Sequence, residues 1–80
     1  MANEKQVEFL KLEIFDWNIW REENPSVEID LRGADLYQVD LTYTDLSEAN
    51  LSEANLGEVL LIYAYLSEAN FSKADLSEAM

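Results

Sequence analysis

Leucine returns at every fifth residue through the second part of this chain. Ten consecutive centres follow without a slip, with phenylalanine replacing leucine once: Leu31, Leu36, Leu41, Leu46, Leu51, Leu56, Leu61, Leu66, Phe71 and Leu76. Two residues before each centre the side chain is small or β-branched, as in Ala34, Val39 and Thr44. An overlooked internal repeat leads to the wrong fold, so this period constrains the architecture more than any other feature.

A period of five fits neither a regular helix nor a flat strand. A helix places apolar residues at i, i+3, i+4 and i+7, whereas a strand alternates apolar and polar residues. Short extended segments joined by turns do fit, because the central leucine and the small residue two positions earlier can both point into a narrow interior. We predict that the other three residues of each pentapeptide face solvent.

A second period, of twenty residues, indicates four pentapeptides in each coil. Val39 recurs at Val59 and Tyr43 recurs at Tyr63. Adjacent strands lie ~4.8 Å apart, so stacked coils would place Tyr43 beside Tyr63 and would reach only about 12 Å in height. Residues 29–80 are therefore predicted to form an all-β solenoid of about 2.5 coils.

Several pentapeptides carry the motif A-(D/N)-L-x-x: Ala34-Asp35-Leu36, Ala49-Asn50-Leu51, Ala54-Asn55-Leu56, Ala69-Asn70-Phe71 and Ala74-Asp75-Leu76. In this respect residues 29–80 resemble the pentapeptide-repeat family, and the resemblance implies a right-handed quadrilateral β-helix. Thr44, Leu60 and Tyr65 depart from the motif. Some longer members of this family inhibit or protect DNA gyrase by presenting an acidic β-helix in place of duplex DNA. The resemblance therefore also implies an acidic DNA mimic as an alternative function.

Residues 1–28 carry no repeat and are predicted to form an N-terminal α-helical cap or dimerisation segment. Asn3 suits the start of a helix, and Asn24-Pro25 suits its end because the residue before proline avoids the α region. A helix near residues 4–23 would be about 30 Å long. Its apolar residues form two groups: Val7, Leu10, Ile14 and Trp17 on one side, and Phe9, Leu12, Phe15, Ile19 and Trp20 on the other.

A helix that is apolar on nearly all sides must be buried on nearly all sides. An 80-residue chain has little else with which to cover it, so we expect a homodimer formed through this segment. In the alternative, the helix breaks near Asp16 into two short helices that fold over the coil. Local alternation at Leu10, Leu12 and Ile14 also permits an initial strand.

Composition excludes several functions. The chain has 17 acidic and 5 basic residues, a formal net charge of −12, and neither histidine nor cysteine. It therefore lacks disulfides, thiolate metal sites and the commonest general base, and no catalytic, cofactor-binding or metal-ligating residue is predicted. Strong acidity disfavours direct binding to nucleic acid or to an anionic membrane. No membrane-spanning run or signal peptide is apparent, so we expect a cytoplasmic protein that is not an enzyme.

The outward positions predict three kinds of residue role. Asp or Asn before each centre suits local hydrogen bonds in the turns. Glutamates aligned at the twenty-residue spacing, Glu48 with Glu68 and Glu58 with Glu78, suit solvated faces that keep the coil soluble. The remaining group is apolar or aromatic and is a possible interface: Phe9, Leu12, Phe15, Trp17, Trp20, Tyr43, Leu60, Ile62, Tyr63 and Tyr65.

Exposed apolar patches of this kind mark contact surfaces, although the tyrosines equally suit a seat for the N-terminal helix. The sequence therefore favours a non-catalytic structural or protein-interaction module, and it does not identify the partner.

Overall fold

The computed structural model of this protein describes residues 2–12 and 14–80, so that Met1 and Glu13 lie outside the description. Two helices come first: α1 spans Glu4–Leu12 and α2 spans Ile14–Glu23. The predicted start is confirmed, because the Asn3 side-chain oxygen accepts a hydrogen bond from the Gln6 backbone N–H at 3.2 Å. The predicted end is confirmed as well, since α2 stops just before Asn24-Pro25.

The sequence-based alternatives for this segment have different outcomes. Leu10 and Leu12 lie within α1, so the alternative of an initial strand is wrong. The alternative of two short helices folded over the repeat is confirmed in place of one long helix, although Asp16 itself lies in the first turn of α2. Helix formation satisfies the backbone groups of this segment locally, which a lone strand with no neighbour could not do.

Beyond the helices, single-residue parallel bridges join positions twenty apart: Asp30 with Asn50, Asp35 with Asn55, Asp40 with Leu60, Asp45 with Tyr65, Asn50 with Asn70, and Asn55 with Asp75. Backbone hydrogen bonds of 2.6–3.2 Å accompany these bridges; for example, Leu31 N–H donates to the Asn50 carbonyl. The predicted twenty-residue register is therefore confirmed. We name residues 29–48 coil 1, residues 49–68 coil 2 and residues 69–80 the partial third coil.

Each pentapeptide turns at a corner, the second residue after its centre. These corner residues have left-handed backbone conformation: φ is 69° at Gly33, and it lies between 57° and 63° at Gln38, Tyr43, Glu48, Glu53, Glu58, Tyr63, Glu68, Lys73 and Glu78. The N–H of the residue after each corner donates to the carbonyl of the centre at 3.0–3.3 Å, which closes a β-turn. This conformation costs a non-glycine residue about 1–2 kcal/mol, so the stacked coils must supply the compensation.

The repeat centres fill the interior of the coils, as predicted. Six of them are completely buried: Leu31, Leu36, Leu41, Leu46, Leu51 and Leu56. Leu61, Leu66 and Phe71 are only partly buried. Leu76 was also predicted to lie in the core, and this prediction is wrong because its side chain is 40% exposed. Within the described residues, no further coil lies over these last centres.

The two helices, together named the cap, cover the opposite end of coil 1. Leu10 and Trp17 are buried against the coil, and Phe9 and Trp20 pack around the Trp17 ring with centroid distances of 5.6 and 5.4 Å. Trp17 was predicted as a possible interface residue, and this is wrong because it belongs to the core of its own chain. Among the described residues, neither helix is long and apolar enough to cross a membrane.

Candidate functional site

In most pentapeptides the Asp or Asn before the centre accepts a hydrogen bond from the backbone N–H two residues later. Eight side chains make this bond at 2.9–3.2 Å: Asp30, Asp35, Asp40, Asp45, Asn50, Asn55, Asn70 and Asp75. Such a bond holds the backbone in a turn. The predicted structural role of these residues is therefore confirmed.

Leu60 and Tyr65 occupy the same position in their pentapeptides but have no suitable acceptor in the side chain. Both still form parallel bridges, to Asp40 and Asp45, so the backbone register does not change. A side-chain hydrogen bond of this kind contributes about 0.5–1.5 kcal/mol. These two pentapeptides therefore forgo a stabilising contact that the other eight retain.

Leu60 and Tyr65 belong to a surface that also contains three neighbouring apolar or aromatic side chains. We define the apolar face as Tyr43, Leu60, Ile62, Tyr63 and Tyr65. Tyr63 is 71% exposed, Tyr65 59% and Tyr43 55%. Leu60 is half-buried, yet it is not among the side chains that pack against the buried core. The structure thus brings together five of the predicted interface residues, and none of them is among the described side chains that form or pack against the buried core.

The rings of Tyr43 and Tyr63 stack, with centroids 5.3 Å apart and planes inclined by 19°. This arrangement is the one that the twenty-residue period predicts. The cap reaches the same corner through Asn18, whose side-chain amide donates to the Tyr43 carbonyl at 2.8 Å and accepts from the Asp45 N–H at 2.8 Å. The cap therefore contacts the backbone beneath the tyrosine pair and leaves the rings exposed.

Negative charge predominates around the apolar face. On coil 2, the corners before and after Tyr63 are Glu58 and Glu68. The sequence has no lysine or arginine between Arg32 and Lys73, and the cap brings one cation toward this region, Arg21, which is 8% exposed and lies 3.9 Å from the Asp45 carboxylate. Hydrogen bonds from Gln38 and Tyr37 stabilise the Glu58 carboxylate and lower its pKa below the usual 4.5. The site is therefore an aromatic and aliphatic strip with an acidic rim.

The outer side of the cap carries a second, smaller group of exposed apolar side chains. Leu12 is 80% exposed and Phe15 is 70% exposed, and Ile19 follows Phe15 by one helical turn. Two other predicted interface residues, Phe9 and Trp20, are half-buried with their rings 5.8 Å apart. The two groups of predicted interface residues therefore lie on different parts of the molecule.

The apolar pattern of residues 4–23 did not predict the polar side chains that join the cap to coil 1. The Gln6 amide donates to the Glu28 carbonyl at 2.9 Å and accepts from the Asp30 N–H at 2.8 Å. Arg21 donates to the carbonyls of Asp45 and Ser47 at 3.0 and 2.9 Å. Gln6 lies one helical turn from Leu10, and Arg21 lies one turn from Trp17. This spacing places each polar side chain on the same helix face as a buried apolar residue, and it could have indicated that both contact coil 1.

Other surfaces of the described residues offer little for a ligand. No group of three or more Asp, Glu, His or Cys capable of holding a metal occurs in residues 2–12 and 14–80. A groove of about 600 Å³ lies between the cap and coil 1 and mixes Arg21 and Arg32 with Asp30 and Glu48. Arg32 is already paired with Asp30 at 2.8 Å, so we assign no ligand to this groove.

The comparisons with known proteins identify the repeat. A family model described as pentapeptide repeats matches residues 29–59 and 49–80, with eight copies of the repeat. The cap residues lie outside the matched region. No match was found among curated proteins or among solved structures.

Proposed function

This chain belongs to the pentapeptide-repeat family, and we propose that it is a non-catalytic protein-interaction module built on a right-handed quadrilateral β-helix. The parallel bridges between positions twenty apart support this framework, as does the recurrence of four corners in every twenty residues. A rigid coil of this type presents outward side chains at fixed positions, which suits recognition of another protein.

The single observation that carries the proposal is the substitution of Leu60 and Tyr65 for the Asp or Asn of the repeat. Each substitution gives up a turn hydrogen bond and adds exposed apolar surface beside Tyr63. Folding alone gives no reason for this exchange, whereas recognition does, because tyrosine contributes a large contact area at low conformational-entropy cost. We therefore assign the contact surface to the apolar face.

We also propose a homodimer, but not one that buries the side of the cap facing coil 1. One side of the cap packs on its own coil, so a second copy is no longer needed to bury Leu10 or Trp17. The surface that supports self-association is the outer side of the cap at Leu12 and Phe15. This surface is separate from the apolar face.

The alternative function is an acidic DNA mimic acting on a DNA-binding protein such as DNA gyrase. The acidic corners support it, because Glu48 precedes Glu68 by one coil and Glu58 precedes Glu78 by one coil. A short coil argues against it: the ~12 Å height corresponds to fewer than about four base-pair steps of 3.4 Å. The apolar face also has no counterpart in a phosphate backbone, so we favour the interaction module.

The test compares the native chain with Tyr65→Asn as immobilised bait in extract from the source cells, followed by binding measurements with the purified partner. We expect the variant to lose the partner or to bind it at least about tenfold more weakly, as expected for an interface hot spot. Asparagine restores the turn hydrogen bond made by Asn50 and Asn70, so misfolding will not account for the loss.

Glu53→Gln is the matched control, because this corner lies on the opposite side of coil 2 from Tyr63. A partner that binds Tyr65→Asn as tightly as the native chain would refute the assignment of the contact surface. Retention of DNA gyrase that duplex DNA displaces, with no effect of Tyr65→Asn, would instead support the DNA mimic.

A further inference from the structure

We propose that the apolar face binds a cationic segment of a partner protein, with an arginine side chain stacked on the ring of Tyr63. The inference rests on the proposed function, because it names the chemistry of the partner that the same face recognises. Three observations support it: the spacing of the Tyr43 and Tyr63 rings, the distribution of charge around Tyr63, and the contrast with the contacts of Tyr37.

The geometry of the tyrosine pair excludes a planar cation from the space between the rings. The ring centroids of Tyr43 and Tyr63 are 5.3 Å apart, which is too close to admit a guanidinium group between the rings. Tyr63 is 71% exposed, so its side chain is accessible from solvent. A cation within about 6 Å of that ring centroid gains a favourable interaction with the π system.

The distribution of charge selects a cationic partner over an anionic one or a second copy of this chain. Residues 33–72 contain no lysine or arginine, and Glu58 and Glu68 occupy the corners on either side of Tyr63. Arg21 of the cap approaches this region, but it is buried and directed to the Asp45 and Ser47 carbonyls. A second copy carries the same net charge of −12 and would meet this face with electrostatic repulsion. Arginine suits both the exposed tyrosine ring and the neighbouring glutamates, because its planar group stacks on an aromatic ring and also pairs with carboxylates.

Tyr37 shows what a tyrosine with a structural role looks like in this coil. Its hydroxyl donates to Glu58 at 2.9 Å, and its ring lies over Gly57, where an added Cβ would come within 3.0 Å of the ring. Tyr43 and Tyr63, by contrast, make no side-chain hydrogen bond within the described residues, and their side chains are 55% and 71% exposed. Neither tyrosine therefore has the structural contacts that Tyr37 has.

The test is an NMR titration of the intact protein with the synthetic peptide Ac-GRGLGRG-NH2 and with its lysine counterpart, Ac-GKGLGKG-NH2. We expect the arginine peptide to shift the ring resonances of Tyr63 and Tyr43 and to bind about fivefold more tightly than the lysine peptide. Tyr63→Ser should weaken the arginine peptide by about fivefold, whereas Tyr63→Phe should retain its binding because the ring remains.

Glu53→Gln again serves as control and should alter binding by less than about twofold, because its charge lies on the opposite side of the coil. Equal binding of the arginine peptide to Tyr63→Ser and to the native protein would overturn the inference. If the arginine peptide does not bind but the captured partner binds Tyr65→Asn more weakly than the native chain, the cationic chemistry is refuted and the interaction function stands. If the captured partner binds Tyr65→Asn and the native chain equally tightly, the proposed function itself is refuted.

Discussion

At the scale of single residues, Thr44 is the clearest conflict between sequence and environment. It occupies the inward position that alanine or valine fills in the neighbouring pentapeptides, and it is completely buried. Its hydroxyl has no hydrogen-bond partner among the described residues. A buried unpaired hydroxyl lowers stability by roughly 1–3 kcal/mol, so this side chain weakens the coil.

We predict that Thr44→Val stabilises the protein by about 1 kcal/mol, because valine has a similar shape and removes the unpaired hydroxyl. Urea denaturation followed by circular dichroism measures the change in the free energy of unfolding. Ser67→Ala, at an exposed outward position, is the control and should change stability by less than about 0.5 kcal/mol. A destabilised Thr44→Val protein would show that the hydroxyl makes a favourable contact.

Asp30 gives a prediction that depends on pH. Its hydrogen bonds to Arg32 lower the pKa of the carboxyl from 3.8 to about 2. Because the folded-state pKa lies below the unfolded value, the stabilisation is present above pH 3.8 and is lost as the pH falls toward about 2. Asp30→Asn keeps a turn acceptor but loses the ion pair, so it should lower stability by up to about 1 kcal/mol at pH 7.

Urea denaturation of the native protein and of Asp30→Asn at pH 7 and near pH 2 tests this prediction. The difference between their free energies of unfolding at each pH cancels the contribution of the other acidic residues. We expect the difference to disappear near pH 2. An equal difference at both pH values would mean that the ion pair does not stabilise the fold.

Residue spacing predicted some of these details and not others. The twenty-residue period predicted that Tyr43 would lie beside Tyr63, because parallel bridges join positions twenty apart and bring such residues together. It did not predict the left-handed corners at Glu53, Glu58 or Lys73. Those residue types rarely adopt that conformation on their own, so it is imposed by the stacked coils and has no local signal.

At the scale of elements, the cap shows where hydrophobic patterning falls short. The pattern predicted the helical limits but also suggested that apolar residues on all sides require a second chain. In the structure, the Trp17 indole N–H donates to the Asp45 carbonyl at 2.9 Å, and Arg21 donates to the same carbonyl. The cap thus supplies side-chain partners to backbone groups of coil 1, and a hydropathy pattern contains no information about such partners.

We predict that Trp17→Ala destabilises the protein by about 3–5 kcal/mol, because it opens a cavity and removes the hydrogen bond to coil 1. A small domain has only about 5–15 kcal/mol of stability, so the variant should melt far below the native protein in a circular-dichroism scan. Phe15→Ser, on the exposed side of the same helix, should leave the melting temperature nearly unchanged. Similar losses for both variants would refute the packing assigned to the cap.

At the scale of the whole molecule, the net charge of −12 makes self-association and partner binding respond to salt in opposite ways. A homodimer through Leu12 and Phe15 brings like charges together, so added salt should strengthen it by screening their repulsion. A cationic partner on the apolar face should bind less tightly as salt rises, because the attraction is screened.

Light scattering at about 0.05 M and about 0.5 M salt distinguishes these cases, since the screening length shortens over this range. We predict a mass that rises from 9.2 kDa toward twice that value as salt and protein concentration increase. A monomer under every condition would show that the outer side of the cap does not bind a second copy.

The central claim is that the apolar face is maintained for contact with a partner and not for folding. The most direct test is the free energy of unfolding of the double variant Leu60→Asn/Tyr65→Asn, measured by urea denaturation. We predict a rise of about 1–2 kcal/mol, because both turn hydrogen bonds of the repeat are restored and no core contact is removed. A fall in stability would contradict the claim and would assign Leu60 and Tyr65 to the fold itself.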